Sequence, residues 1–164
     1  MHRLCLFLLT LVAWVSLACL TGCAKRAVPT NVGVIPARHE HHPPHGGTPV
    51  VLGEEAYHLE LVLDSASGTL QADVLDGEME DFVRCAAPAL EVDVREGGQS
   101  KTLTLSPVAN PATGETVSDT ALFEAHVDWL KSAKDFDGTL KKITIRGTTF
   151  TDVKFNFPKG NDRD

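Results

Sequence analysis

The chain has 164 residues, of which 43% are hydrophobic, and it carries a formal charge of −7 with neutral histidines. This length allows one domain with a modest hydrophobic core, but not two domains of typical size. The 22 acidic residues against 15 basic ones give a surface that repels nucleic acid and favours cations or basic partners. We therefore expect no nucleic-acid partner.

The N-terminus has the layout of a secretory signal peptide. Arg3 precedes an apolar run over residues 4–20. The run ends in Leu20-Thr21-Gly22-Cys23, which resembles the lipobox read by the signal peptidase of bacterial lipoproteins. That resemblance implies a signal peptide over residues 1–22, cleavage before Cys23, and a lipid on Cys23 that attaches the protein to a membrane.

Two alternatives compete with this interpretation. An apolar run of about 17 residues is at the lower limit for an uncleaved membrane anchor. A second candidate, Ser16-Leu17-Ala18-Cys19, lacks the aliphatic residue three places before the cysteine. Ala24 follows Cys23, where an Asp would resemble an inner-membrane retention signal. We therefore predict a cell-envelope location, on the periplasmic side of the outer membrane.

Residues 23–44 predict a flexible tether, because large apolar residues are few and four prolines interrupt the segment. His39, His41, His42 and His45 fall within seven positions at its end. Four imidazoles so close together predict unselective binding of transition metals such as zinc or copper, with release in acid. The alternative is a linker whose histidines are incidental.

The cysteines exclude a disulfide framework. Cys5 and Cys19 leave with the signal peptide and Cys23 is modified, so that only Cys85 keeps a free thiol. Cys85 is interpreted as a small buried strand residue, with a reactive or copper-binding thiol as the alternative.

Period-2 alternation predicts a series of short strands separated by turn residues. The predicted strands are 49–52, 57–64, 70–75, 82–86, 89–95, 101–105, 139–146 and 148–157. Residues 121–130 fit either a strand or a helix, and we favour a strand followed by a helical turn through about residue 136. The sequence thus predicts an all-β fold, a small antiparallel β-sandwich or open barrel of about 7–8 strands with at most one short helix. The domain is placed at 45–158 and a disordered tail at 159–164.

The turn at residues 65–68 fixes a hairpin register. If Asp64 pairs with Thr69, Leu61 lies opposite Ala72 and one face of the hairpin is apolar throughout. We expect Leu61 and Ala72 to share one core with Val92 and Phe155.

The same register places Glu60 opposite Asp73 on the other face, with His58 one pleat away. Directly opposed carboxylates repel each other, and a cation bridging them would turn this repulsion into a net attraction. An imidazole with two carboxylate oxygens suits zinc, copper or nickel, and His45 could add a ligand. The alternative is that this face of the hairpin lies at the edge of the sheet and is solvated, so that the repulsion between its charges costs little free energy.

Three segments resemble a known kind of domain. His45-Gly46-Gly47-Thr48, Tyr57–Asp64 and Ala72–Gly77 resemble a small domain of bacterial lipoproteins, similar to segments beside the periplasmic adaptor subunits of heavy-metal efflux pumps. The resemblance covers residues 45–95 and implies an envelope or efflux protein as partner. In that pattern a histidine often follows Val-Leu-Asp-Gly, whereas this chain has Glu78, which can also ligate a metal.

Catalytic motifs are missing from the sequence: it has no Gly-x-Ser-x-Gly elbow, no His-Glu-x-x-His and no phosphate-binding glycine loop. His126 and Asp128 have the spacing of a base and its orienting group, but we interpret both as structural. We expect no enzyme. The leading hypothesis is a lipid-anchored binding module that holds or buffers a transition metal in envelope homeostasis. The alternative is a structural or protein-interaction lipoprotein.

Overall fold

The alternating stretches of the chain form eight β-strands in the computed structural model, which describes residues 41–161. The strands are β1 (Thr48–Leu52), β2 (Tyr57–Asp64), β3 (Thr69–Asp76), β4 (Leu90–Glu96), β5 (Gln99–Pro107), β6 (Leu122–His126), β7 (Phe136–Ile145) and β8 (Thr148–Phe157). Within these residues the helical content is one 3₁₀ turn, Asp128–Lys131. The prediction of an all-β fold is confirmed.

The strands form one antiparallel sheet in the order β1-β2-β3-β6-β5-β4-β7-β8. Its two edge strands approach each other: the Thr48 hydroxyl donates to the Pro158 carbonyl at 3.2 Å, and the Asn161 side chain bonds both the amide and the carbonyl of Val51. The sheet is therefore a nearly closed barrel whose seam is held by side chains.

The β2–β3 hairpin has the predicted register. Asp64 pairs with Thr69, Leu61 with Ala72, and Glu60 with Asp73. The hairpin is not at an edge, however, because β1 pairs with β2 and β6 pairs with β3. β6 and β5 lie between β3 and β4 in the sheet, an order that local sequence patterns do not reveal.

The core is one cluster of apolar side chains contributed by every strand. Leu61, Ala72, Val92 and Phe155 all belong to it, as predicted. Phe136 stacks on Phe157 with ring centroids 5.1 Å apart. With no disulfide among residues 41–161, this apolar cluster is the main source of stability.

The predicted strand at 82–86 is wrong. The segment makes only isolated bridges, Leu75 with Phe82 and Cys85 with Thr120. Its backbone bonds β3 at one end, where the Val83 amide donates to Val74, and the loop before β6 at the other. Because it changes partner within three residues, no ladder forms.

The ambiguous segment is a strand, β6, followed by the 3₁₀ turn, as favoured. The turn ends at Lys131, earlier than predicted, and Phe136 already begins β7. Trp129 lies edge-on against Phe136 and lets the short turn cover the end of the core.

The domain extends beyond the predicted limits at both ends. The ring of His41, assigned to the tether, packs on His58, and Asn161, assigned to the disordered tail, bonds β1. The predictions for the signal peptide, Cys23, His39 and the tether before residue 41, and for residues 162–164, lie outside the described residues. Across 41–161, no helix has the length and apolarity needed to cross a bilayer.

Candidate metal centre

Glu60 and Asp73 lie opposite each other on the face of the β2–β3 hairpin that points away from the core. This face is not solvated. The side chain of Glu60 is 0% exposed and that of Asp73 is 10% exposed. The alternative of a solvated edge hairpin is therefore wrong, because neighbouring segments cover both carboxylates.

The segment that covers Glu60 is the turn at His45-Gly46-Gly47. Gly46 has a φ of +68°, which favours glycine, and its amide donates to the Pro43 carbonyl at 3.0 Å. A Cβ on Gly47 would lie 2.6 Å from the Leu61 carbonyl oxygen and 2.7 Å from Cγ of Glu60. The two glycines thus let the backbone turn and then lie directly on β2.

Glu60 is held by this turn through three contacts. The amides of His45 and Gly47 each donate to its Oε1 at 2.8 Å. Its other oxygen, Oε2, lies 3.0 Å from Nδ1 of His45. Charge-assisted bonds to backbone amides fix the carboxylate, so its Oε2 has a defined direction.

Asp73 is less well satisfied. Its Oδ2 lies 3.6 Å from Nδ1 of His45, beyond hydrogen-bond distance, and within residues 41–161 no donor bonds its carboxylate. Burial raises the pKa of Asp73 from its ordinary 3.8 to about 6; the charges of Glu60 and Glu115 also raise it, whereas His45 lowers it. A buried carboxylate without donors is costly when charged.

His45, Glu60 and Asp73 each offer one ligand atom within 4.8 Å of the other two. One imidazole nitrogen and two carboxylate oxygens form a ligand set suited to zinc, copper or nickel. The ring of His45 is 51% accessible, and its Nδ1 faces both carboxylates.

The structure divides the predicted metal ligands differently from the sequence analysis. His45 joins Glu60 and Asp73, whereas His58 is not in that group. The His58 ring is buried against His41, with centroids 4.4 Å apart, and its Nδ1 lies 3.1 Å from the Asp76 carbonyl oxygen. His42 is exposed and His39 lies outside the described residues.

A cavity of about 340 Å³ opens beside the three ligands. It is lined by His45, Asp73, Phe82, Arg84, Asn110, Thr113, Glu115, Ala121 and Leu122. Sequence analysis missed this wall, because the segment before β4 and the loop before β6 carry no periodic pattern. The one available signal was an aromatic residue, Phe82, in a strongly acidic stretch.

The cavity wall is fixed by its own contacts. Glu115 accepts bonds from the Thr113 hydroxyl at 2.6 Å and from the Ala121 amide at 2.9 Å. The Arg84 guanidinium donates to the carbonyls of Thr113 and Gly114 and lies 3.8 Å from Asp119. These polar groups are occupied in holding the loop.

Two other sequence candidates have ordinary partners. Cys85 is buried, and burial raises the pKa of its thiol, which favours the structural interpretation over a reactive thiolate. Nδ1 of His126 lies 3.1 Å from the Thr69 hydroxyl, whereas Asp128 accepts a bond from Lys131. The two side chains therefore contact different groups, as expected for structural residues.

Comparison of the chain with protein-family models, curated proteins and solved structures found no match. The resemblance to lipoprotein and efflux-associated segments stays a prediction.

Proposed function

We propose that this domain binds a transition-metal cation, zinc, copper or nickel, through Nδ1 of His45, Oε2 of Glu60 and Oδ2 of Asp73. The observation that carries the proposal is Asp73, a nine-tenths buried carboxylate that accepts no hydrogen bond from residues 41–161 and lies beside a second buried carboxylate. Two carboxylates this close together repel each other, and a cation held between them would remove that repulsion.

A cation explains the arrangement better than a protonated histidine does. One imidazolium compensates one negative charge, and His45 is closer to Glu60, at 3.0 Å, than to Asp73, at 3.6 Å. A divalent cation among the three groups compensates both carboxylates at once. The fixed position of Glu60 lowers the ordering cost of such a site.

For the whole chain, we propose a lipid-anchored lipoprotein of the cell envelope in which this domain holds or buffers metal. The support for the anchor is the sequence Leu20-Thr21-Gly22-Cys23. A second candidate is an interaction lipoprotein that docks another envelope protein. The exposed apolar side chains of Phe82 and Val117 favour it.

Calorimetry and thermal unfolding of the untagged protein with Zn²⁺, Cu²⁺ and Ni²⁺ test the metal proposal. A metal that binds only the native state raises stability by about 2.7 kcal/mol at a hundredfold excess over Kd. Asp73→Asn and Glu60→Gln should abolish that rise.

Glu124→Gln is the matched control. Glu124 lies on the neighbouring strand β6 and bonds Gln71, outside the ligand group. It should keep the full metal response. If the wild-type protein shows no metal-dependent stabilisation, or if Asp73→Asn retains it, the metal proposal is wrong and the interaction lipoprotein becomes the better explanation.

A further inference from the structure

The three ligands leave one side of the site open. Glu60 is fully buried, whereas His45 and Asp73 line the cavity of about 340 Å³. A metal held by these residues therefore has protein on one side and the cavity on the other. Structural zinc sites are closed by four protein ligands, whereas three ligands with an open position are typical of sites that exchange a ligand.

Among the histidine, cysteine and carboxylate side chains of residues 41–161, no fourth one joins this group. The ligand group contains three side chains. The next carboxylate on the cavity wall, Glu115, is engaged by Thr113 and Ala121, and its Oε1 lies 3.9 Å from Arg84. The remaining coordination position must be filled from outside this part of the chain.

The charges around the cavity favour a neutral ligand. Glu60 and Asp73 compensate a divalent cation, and Arg84 already lies within 4 Å of Glu115 and Asp119. An added anion would find no unpaired positive charge on the wall. A neutral nitrogen donor needs no positive charge on the wall to compensate it.

The apolar part of the wall favours a planar ligand. The Phe82 side chain is 50% exposed, and its ring centroid lies 5.9 Å from that of His45. Ala121 and Leu122 continue this wall. A flat aromatic ring entering the cavity can lie against Phe82 in the offset or edge-on geometry that aromatic pairs prefer.

We infer that a metal bound here keeps an exchangeable position, directed into the cavity, that accepts a neutral imidazole, the side chain of a histidine from another protein. This inference rests on the proposed metal function and names the chemistry of a partner for that site. A partner that presents a histidine to the cavity would supply the fourth ligand.

The experiment loads the protein with Co²⁺, whose visible absorption reports its ligands, and titrates imidazole. The spectrum should change and saturate in the wild-type protein, and acetate at the same pH should bind far more weakly. Phe82→Ala should weaken imidazole binding by about threefold or more, the loss expected for one aromatic contact. It should leave the affinity for Co²⁺, measured by calorimetry, unchanged.

Val117→Ala is the control, because Val117 is also exposed but does not line the cavity. The inference is overturned if Co²⁺ binds but imidazole leaves the spectrum unchanged, if acetate binds as tightly, or if Phe82→Ala behaves like Val117→Ala. In those cases the metal site itself still stands. Failure of the wild-type protein to bind Co²⁺ or any other tested metal overturns both proposals.

Discussion

Asp73 is the residue of the site at which burial and negative charge conflict most clearly. Its carboxylate is buried without donors and faces Glu60, so that the folded state favours the neutral acid. Such a conflict is common where a site is built for a ligand, because the ligand supplies the missing charge. In the proposed site, the metal-free protein would carry this cost and a bound cation would relieve it.

Asp73→Asn should therefore stabilise the apo domain while it removes metal binding. Between the ordinary pKa of 3.8 and about 6, the folded state keeps a proton that the unfolded state releases, so stability falls as pH rises through that range. The substitution should remove this fall and stabilise the protein at pH 8 by up to about 3 kcal/mol. Urea unfolding in a chelator, between pH 4 and pH 8, measures it.

Asp93→Asn is the control for that experiment. Asp93 is exposed, and a hydrogen bond from Thr102 lowers its pKa. The amide should bring no stabilisation at pH 8. A gain for Asp93→Asn equal to that for Asp73→Asn would mean that the effect comes from net charge and not from burial.

Gly47→Ala should damage both stability and metal binding. The added Cβ would meet the Leu61 carbonyl and the Glu60 side chain, and the turn carrying His45 would have to move away. Overpacking of this kind costs about 1–3 kcal/mol. Thermal unfolding and zinc calorimetry measure the two effects.

Gly98→Ala is the control for Gly47→Ala, because it changes the backbone preference without creating a steric contact. Gly98 has a φ of +83°, but no atom lies within 4 Å of an added Cβ. It should cost stability through its backbone alone and leave metal affinity unchanged. A full metal affinity in Gly47→Ala would show that the turn does not position His45.

At the scale of elements, the β2–β3 hairpin connects the core to the site. Leu61 faces the core and the adjacent Glu60 faces the site, so one register fixes both. A slip of one residue would exchange the two faces. The positions of Glu60 and Asp73 are therefore fixed by the same strand register as the core packing beneath them.

Leu61→Ala should cost about 2–5 kcal/mol, because the side chain is buried in the main cluster. Glu91→Ala, which removes an exposed carboxylate 3.3 Å from Lys141, should cost under about 1 kcal/mol. Chemical denaturation compares them. Similar losses in the two variants would contradict the assigned inner face of β2.

The hairpin was predictable because period-2 alternation and a four-residue turn are local signals. The pairing of Glu60 with Asp73 followed from that register. The register did not predict that His45, and not His58, lies beside the two carboxylates. That position depends on how the turn at Gly46-Gly47 folds back on β2. The cavity wall depends on Phe82 and Glu115, which only the tertiary fold brings beside Asp73.

At the scale of the whole molecule, the predicted order is lipid anchor, tether and barrel. Cys23→Ala should leave the protein without lipid, because the thioether requires that thiol. Metabolic labelling with a fatty acid, followed by membrane fractionation, measures the outcome. Label on the Cys23→Ala protein would contradict the lipobox assignment.

The seam between β1 and β8 decides how the barrel responds to force. Both ends of the domain lie at this seam, where the side chains of Thr48 and Asn161 replace a continuous ladder. Residue numbers rise in the same direction on both sides of the seam, from Thr48 to Val51 and from Pro158 to Asn161, so tension between the two ends shears these few hydrogen bonds and loads them together. The β2–β3 hairpin lies inside the sheet and carries the load only later, so a pull on the chain opens the seam before it disturbs the carboxylates.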